Sequence, residues 1–357
     1  MGMSITIGHR RVGPEEPLFV IAELGINHGG DLERALALVD AAATAGASAV
    51  KLQCFHADQL IADRCPPPRH LDIGSMRDFF RRFELGPEAH EAIFTLARAS
   101  GLAVMATPFD AEAVEMLEML DCDAYKVASG DLTHDRLIER VAATGRPVVL
   151  STGMSAIAEV ADAWAWARAC GARQIALLHC VSAYPVPAGS ENLSAVATLR
   201  DAFDVPVGLS DHGTDPLSVA IAVTLGGSLY ERHLMLEGQT DAADAAVSVT
   251  PSQLADLIES AHRVRRQMGD GVKVCQSAES FNLAPSRRSL YAGRALQAGE
   301  RVTPDAIVAL RPATGLDPRR WRQLVGVTLE RDVAEGAPFV EADLERDAGQ
   351  QEYRGVA

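Results

Sequence analysis

The sequence predicts an α/β protein: a (β/α)8 (TIM) barrel followed by a small β-rich domain. Three observations point there. From Pro17 to about Met268, short continuously apolar runs alternate with amphipathic helical stretches, a rhythm that implies parallel strands covered by helices. Eight such units recur, the number that closes a barrel. Around Gly269 the rhythm stops, and short β-like runs with Gly-Glu and Pro-Asp turns take over. A doubly wound open sheet is the rival architecture, but no GxGxxG follows the first apolar run, and eight well-spaced units favour closure.

In chain order the strands are read at residues 18–24 (LFVIAEL), 48–53 (SAVKLQ), 102–108 (LAVMATP) and 124–129 (AYKVAS). They continue at 147–152 (PVVLST), 175–180 (IALLHC), 205–210 (VPVGLS) and 228–234 (SLYERHL). Between them, residues 32–46 and 87–101 carry helical periodicity and end on Gly, a helix stop signal. This predicts a barrel domain over residues 1–269 and a small polar linker over 270–286. A second domain is expected over 287–350, with an acidic, frayed tail after Glu345. A second core of that size is marginal alone and is expected to pack on a partner surface.

A formal net charge of −15 argues against broad binding to nucleic acid or an anionic membrane. An anionic substrate then needs a local nest of Lys, Ser, Thr and backbone N–H groups. The six cysteines are scattered without CxxC, which suits reduced thiols. No apolar run approaches the roughly 20 residues of a membrane span, and no signal peptide is read at the start. The expectation is a cytoplasmic protein.

In a barrel the working groups sit where strands end, and here those ends are polar. The first supplies Glu23, Asn27 and His28; the next supply Lys51 with Gln53, then Thr107, then Lys126 with Ser129 and Asp131. Ser151 and Thr152 follow, then His179 with Ser182 and Tyr184, then Ser210, Asp211 and His212, and finally Glu231 with His233. Chance would scatter such groups to both ends, so together they predict one functional mouth. His212 and His233 end consecutive strands; two neutral imidazoles suit a divalent cation used as a Lewis acid, or are two structural histidines. Lys51 and Lys126 each need an anion, since a buried lone ammonium is costly. Glu23 or Asp131 serves, as does a bound phosphate and carboxylate; a Schiff-base role is the third option.

Several stretches carry a resemblance: FVIAELGINHGG (19–30), AVKLQ (49–53), ATPFD (106–110), YKVASGDL (125–132), VVLSTGMS (148–155), LLHCVSAYP (177–185), VGLSDHG (207–213) and LYERHL (229–234). The chain resembles the sialic acid (N-acetylneuraminate) synthase family, and RRSLYAGRALQAGE with RPATG is similar to the antifreeze-like (SAF, β-clip) domain that ends those enzymes. The resemblance implies a phosphoenolpyruvate-dependent, C–C bond-forming transferase acting on an N-acylated amino sugar such as N-acetylmannosamine and releasing phosphate. It implies a divalent metal (Mn²⁺, Mg²⁺ or Co²⁺) on His212 and His233. Phosphoenolpyruvate contacts are implied for Lys51, Thr107, Lys126, Ser129 and Ser210. Glu23, Gln53, Asp131, Tyr184 and Asp244 are implied near the sugar, the metal or the proton transfers, with Ser151 and Ser182 as further substrate contacts. It also implies a domain-swapped homodimer in which Arg311 of the cap reaches the acyl group. The chain departs from the family pattern at Asp131, Ser182 and Ala245-Ala246, which touches the sugar end. Alternatives are the same chemistry on a diacetamido-trideoxyhexose, a Schiff-base aldolase, and a non-catalytic anion-binding barrel.

Overall fold

Residues two apart on a strand face the same way, and this decides what fills the barrel. The computed structural model describes residues 4–65 and 75–344, in two units, Met1–Asp270 and Gly271–Ala357. In the first, a hairpin of β1 (Ile5–Ile7) and β2 (Arg10–Val12) precedes eight parallel strands. These are β3 (Phe19–Gly25), β4 (Ala49–Cys54), β5 (Ala103–Pro108), β6 (Ala124–Val127), β7 (Val148–Ser151), β8 (Ile175–Cys180), β9 (Val207–Asp211) and β10 (Leu229–Leu234). Each pairs with the next, and β10 pairs with both β9 and β3, closing the cylinder. A short β11 (Ser248–Val249) adds beside β10. The expected strand at 205–210 begins at Val207, because Pro206 has no N–H to give a ladder.

The helices are α1 (Leu32–Thr44), α2 (Ala57–Leu60), α3 (Met76–Arg81), α4 (Pro87–Ala99), α5 (Ala111–Met119), α6 (Asp135–Ala143), α7 (Ile157–Ala169), α8 (Ala195–Ala202), α9 (Leu217–Thr224) and α10 (Pro251–Met268). Asp31 and Thr250 cap α1 and α10 by accepting from backbone N–H groups. Gly46 and Gly101 take positive φ just past α1 and α4, the stop read from sequence.

One face of each strand (Val20, Val50, Val104, Tyr125, Leu150, Leu177, Leu209, Tyr230) packs outward in the large core shared with the helices. The other face fills the barrel. At its base Phe19, Ile21, Met105, Val149 and Leu178 join Ile5, Ile7 and Val12 of the hairpin in one apolar cluster. Each fully buried aliphatic of this kind contributes about 1.5–3 kcal/mol, which offsets the cost of the charges above. Further along the same inward face the sequence turns polar at Glu23, Lys51, Thr107, Lys126, Ser151, Ser210, Glu231 and His233, all buried.

The second unit pairs β12 (Ser289–Ala292) with β13 (Ile307–Leu310) around Leu290, Leu296, Val302, Leu324 and Phe339. The stretch expected as a plain linker carries a 3-10 turn (Ser277–Asn282) and a helical turn, α11 (Leu283–Ser286), with no buried residue in either. The expected tail after Glu345 lies outside the described residues. Among the described residues, no helix is long and apolar enough to cross a membrane.

Candidate active site

The polar strand ends converge on a cavity of about 440 Å³ at the C-terminal mouth of the barrel. It is lined by Glu23, Lys51, Gln53, Thr107, Lys126, Ser129, Ser151, Ser182, Tyr184, Ser210, His212, Glu231 and His233. Twelve of these thirteen are expected site residues. Glu231 is the thirteenth, a strand end to which the sequence assigns no separate role.

Two ammonium–carboxylate pairs form the floor. Lys51 Nζ lies 2.7 Å from Glu23 Oε2 and donates to Thr107 Oγ1 at 3.1 Å. Lys126 Nζ lies 3.1 Å from Glu231 Oε1, which is also 3.9 Å from Lys51 and accepts from Ser210 Oγ at 3.0 Å. Burial pulls the Lys51 ammonium down, but Glu23 and Glu231 outweigh it and hold its pKa above the ordinary range. Burial pushes the Glu231 carboxyl up, and Lys126 and Lys51 override it, holding Glu231 below the usual carboxylate range. Each ammonium of the floor thus faces a carboxylate partner. Gln53 Nε2 donates to Glu23 Oε1 at 3.0 Å and orients it. Ser129 Oγ donates to Ser151 Oγ at 3.0 Å and accepts from Gly153 N–H at 3.1 Å.

The chain contains three lysines, Lys51, Lys126 and Lys273, and every other Lys/Arg position is arginine. A compact ammonium is thus kept at the two places where it is buried, which suits a point charge better than a guanidinium fork.

Above the floor, the His212 and His233 rings stand 5.3 Å apart between centroids. Burial, then the neighbouring His233, lowers the His212 pKa to about 3, so the ring is neutral with a lone pair to give. His212 Nδ1 meets Cys180 Sγ at 3.6 Å, and the Tyr184 ring lies 4.4 Å away at 38°. His233 Nδ1 is 3.2 Å from Asp244 Oδ2 but without hydrogen-bond geometry. Gly25 (φ +53°) leaves room for them, since a Cβ there would stand 2.9 Å from Asp244 Oδ2 and 3.1 Å from His233 Nδ1. Glu231 Oε2 is buried with no hydrogen-bond partner among the described residues. Two adjacent imidazoles with an orphaned carboxylate oxygen nearby fit a divalent cation. Among the described residues no group of three or more His, Cys, Asp or Glu side chains is arranged to hold one, so a cation on the two imidazoles would need water or substrate to complete its shell.

Two expected contacts of the barrel, Asp131 and Asp244, do not line the cavity. Asp131 sits in the 3-10 turn Ser129–Asp131, which presents Ser129 and Gly130 to the cavity instead. Its carboxyl lies 3.8 Å from His134, and burial raises its pKa. Asp244 stands behind His233. Arg311 belongs to the second unit, directly after β13. Several polar strand ends are structural: Asn27 bonds Leu234 O, Ser248 and the Asp244 N–H, Thr152 bonds Leu178 O, and His179 bonds Glu191 O. The outer wall includes Leu60, Ile61, Phe80 and Phe109, which the strand-end reading missed.

A family model described as NeuB family matches residues 38–273, and one described as SAF domain matches residues 287–345. Over 331 residues the chain is 35% identical to an uncharacterised protein of Methanocaldococcus jannaschii, spanning 93% of this chain and 96% of that one. It is 33% identical over 315 residues to an N,N'-diacetyllegionaminic acid synthase of Campylobacter jejuni, spanning 86% and 94%. A solved N-acetylneuraminic acid synthetase of Leptospira borgpetersenii, in complex with citrate, matches with a TM-score of 0.72 at 30% identity, over 79% of this chain and 95% of that one.

Proposed function

This chain belongs to the NeuB family, and from that premise we propose that it is a nonulosonic acid synthase condensing phosphoenolpyruvate with an open-chain N-acylated hexosamine. One observation carries the reading: two ammonium groups and two neighbouring imidazoles line a single cavity. Each floor lysine already faces a carboxylate, whereas phosphoenolpyruvate brings about two negative charges on phosphate and one on its carboxylate. A cation beside it balances that load. His212 and His233 would hold Mn²⁺, Mg²⁺ or Co²⁺, which when bound polarises an aldehyde oxygen.

Lys51 and Lys126 hold the phosphate and carboxylate, with Thr107, Ser129, Ser151 and Ser210 adding hydroxyl donors. C3 of the enol phosphate bonds to the aldehyde carbon as the C=O π bond breaks, leaving its oxygen to take up a proton. Water adds at C2; Glu23, held in place by Gln53, takes one proton from that water and returns it to the new hydroxyl. The bond from C2 to the phosphate oxygen then breaks, the second water proton leaving with the phosphate, giving a 2-oxo acid and inorganic phosphate. A Schiff-base route through Lys51 needs a depressed pKa there, and the neighbouring carboxylates hold it up instead.

The apolar wall of Leu60, Ile61, Phe80 and Phe109 favours an acceptor with a deoxygenated carbon, as in a diacetamido-trideoxyhexose, over N-acetylmannosamine. Under this reading Arg311 meets the acyl substituent and the assembly is a homodimer, which light scattering tests.

The function is tested by phosphate release from phosphoenolpyruvate with Mn²⁺ and both sugar types. Release is expected only with an aldehyde sugar and a divalent cation, and faster with the deoxy acceptor. His233→Ala is expected to abolish release while the circular dichroism spectrum and Tm stay near wild type. Release that persists in that variant under metal-limited conditions would remove the role assigned to the imidazoles.

A further inference from the structure

The alternation that aims Ser210, His212, Glu231 and His233 inward sends Asp211 and Arg232 the other way, into the layer between strands and helices. The two are paired in register across β9 and β10, and both are buried. Asp211 Oδ2 lies 3.0 Å from Arg232 Nη1 and accepts from the Tyr230 hydroxyl at 2.8 Å. Asp211 Oδ1 accepts from Gly213 N–H at 2.8 Å, and Arg232 Nη1 also donates to the Asp211 carbonyl at 3.2 Å. The peptide groups on both sides of His212 are therefore clamped to the strand that carries His233.

Stability does not account for this pair. Its neighbours on the outward face, Leu209 and Leu234, belong to the apolar core. A buried ion pair there is commonly matched or bettered by apolar side chains of similar volume. Arg232 Nε has no hydrogen-bond partner among the described residues, a further cost.

We propose that Asp211 and Arg232 are a positioning pair that sets the separation and facing of the His212 and His233 imidazoles from behind the barrel wall. The inference rests on the reading of those imidazoles as a cation site. The pair touches neither cation nor substrate; it acts as groups behind metal ligands do, where loss typically weakens binding about 10–100-fold.

The test compares the full-length chain with the double variant Asp211→Leu with Arg232→Met, which leaves no stranded charge. Mn²⁺ affinity is read from the free-ion electron paramagnetic resonance signal, phosphoenolpyruvate affinity by calorimetry without metal, and Tm by scanning calorimetry. Expected are a Tm near or above wild type, Mn²⁺ binding weakened at least about 10-fold, and phosphoenolpyruvate affinity changed much less, because its lysines stand on other strands. Wild-type Mn²⁺ affinity in a folded double variant overturns the pair's role. Should the double variant not fold, Tyr230→Phe, which removes one bond to Asp211 at nearly constant volume, is expected to weaken Mn²⁺ binding a few-fold, and no change there overturns the role equally. A wild-type chain that takes up no Mn²⁺ overturns the cation-site reading, and the pair's role with it.

Discussion

His28 shows how a single ring couples this barrel to pH. Its Nδ1 accepts from the Gly30 N–H at 3.0 Å, a bond only the unprotonated nitrogen makes. Burial, then the neighbouring His90, lowers its pKa from 6.5 to about 4. Between those values the unfolded chain binds the proton and the folded chain does not, so stability falls as pH drops through this window. At one pKa unit per 1.36 kcal/mol, the share lost by pH 4 is about 3 kcal/mol. Urea denaturation from pH 7 to pH 4 is expected to show this slope, and His28→Gln to flatten part of it. At this scale the sequence was most readable where residues share a strand face. Glu231 stands two positions before His233, and that spacing alone places both on one side. Asn27, Thr152 and His179 looked equally functional because a strand-end polar residue and a backbone tie have the same signature in a sequence.

Among the elements, the turn after β7 brings two strands' hydroxyls together. A Cβ at Gly153 would overlap the Ser182 hydroxyl and stand 2.8 Å from Ser129 Oγ. Gly153→Ala is therefore expected to raise KM for phosphoenolpyruvate about tenfold while Tm falls by only a few degrees, measured by steady-state kinetics and calorimetry. A large loss of Tm with unchanged KM would assign this glycine to folding alone. The eight barrel strands were legible because most are near-continuous apolar runs with breakers in place, and β10, although it carries Glu231, Arg232 and His233, recurs at the same spacing. The hairpin of β1 and β2 was not, since three residues are too few to show alternation. Nor were the walls from α2 and α3, whose four and six residues carry no period to detect.

At the scale of the whole molecule, the net charge of −15 opposes the approach of an anion that the cavity is built to receive. Screening shortens the reach of that repulsion, from about 30 Å at 0.01 M salt to about 8 Å at 0.15 M, while contacts made within the buried cavity are screened less. Stopped-flow association of phosphoenolpyruvate is expected to quicken a few-fold over this range; a rate that falls instead would mean a basic approach path outweighs the global field. Composition gave that global sign, and the break in rhythm near Gly269 gave the second unit. Pairwise geometry, such as Lys126 against Glu231, needed the closed cylinder, because those residues lie on strands that do not adjoin in the chain.

Keeping two of only three lysines inside the cavity has a chemical corollary. An acylating reagent small enough to enter the mouth finds side-chain amines at those two places and at exposed Lys273, and none elsewhere on the surface. The same scarcity leaves Lys273 as the one exposed lysine side chain, so amine coupling of a support or dye too large for the mouth is confined to it and the α-amino group.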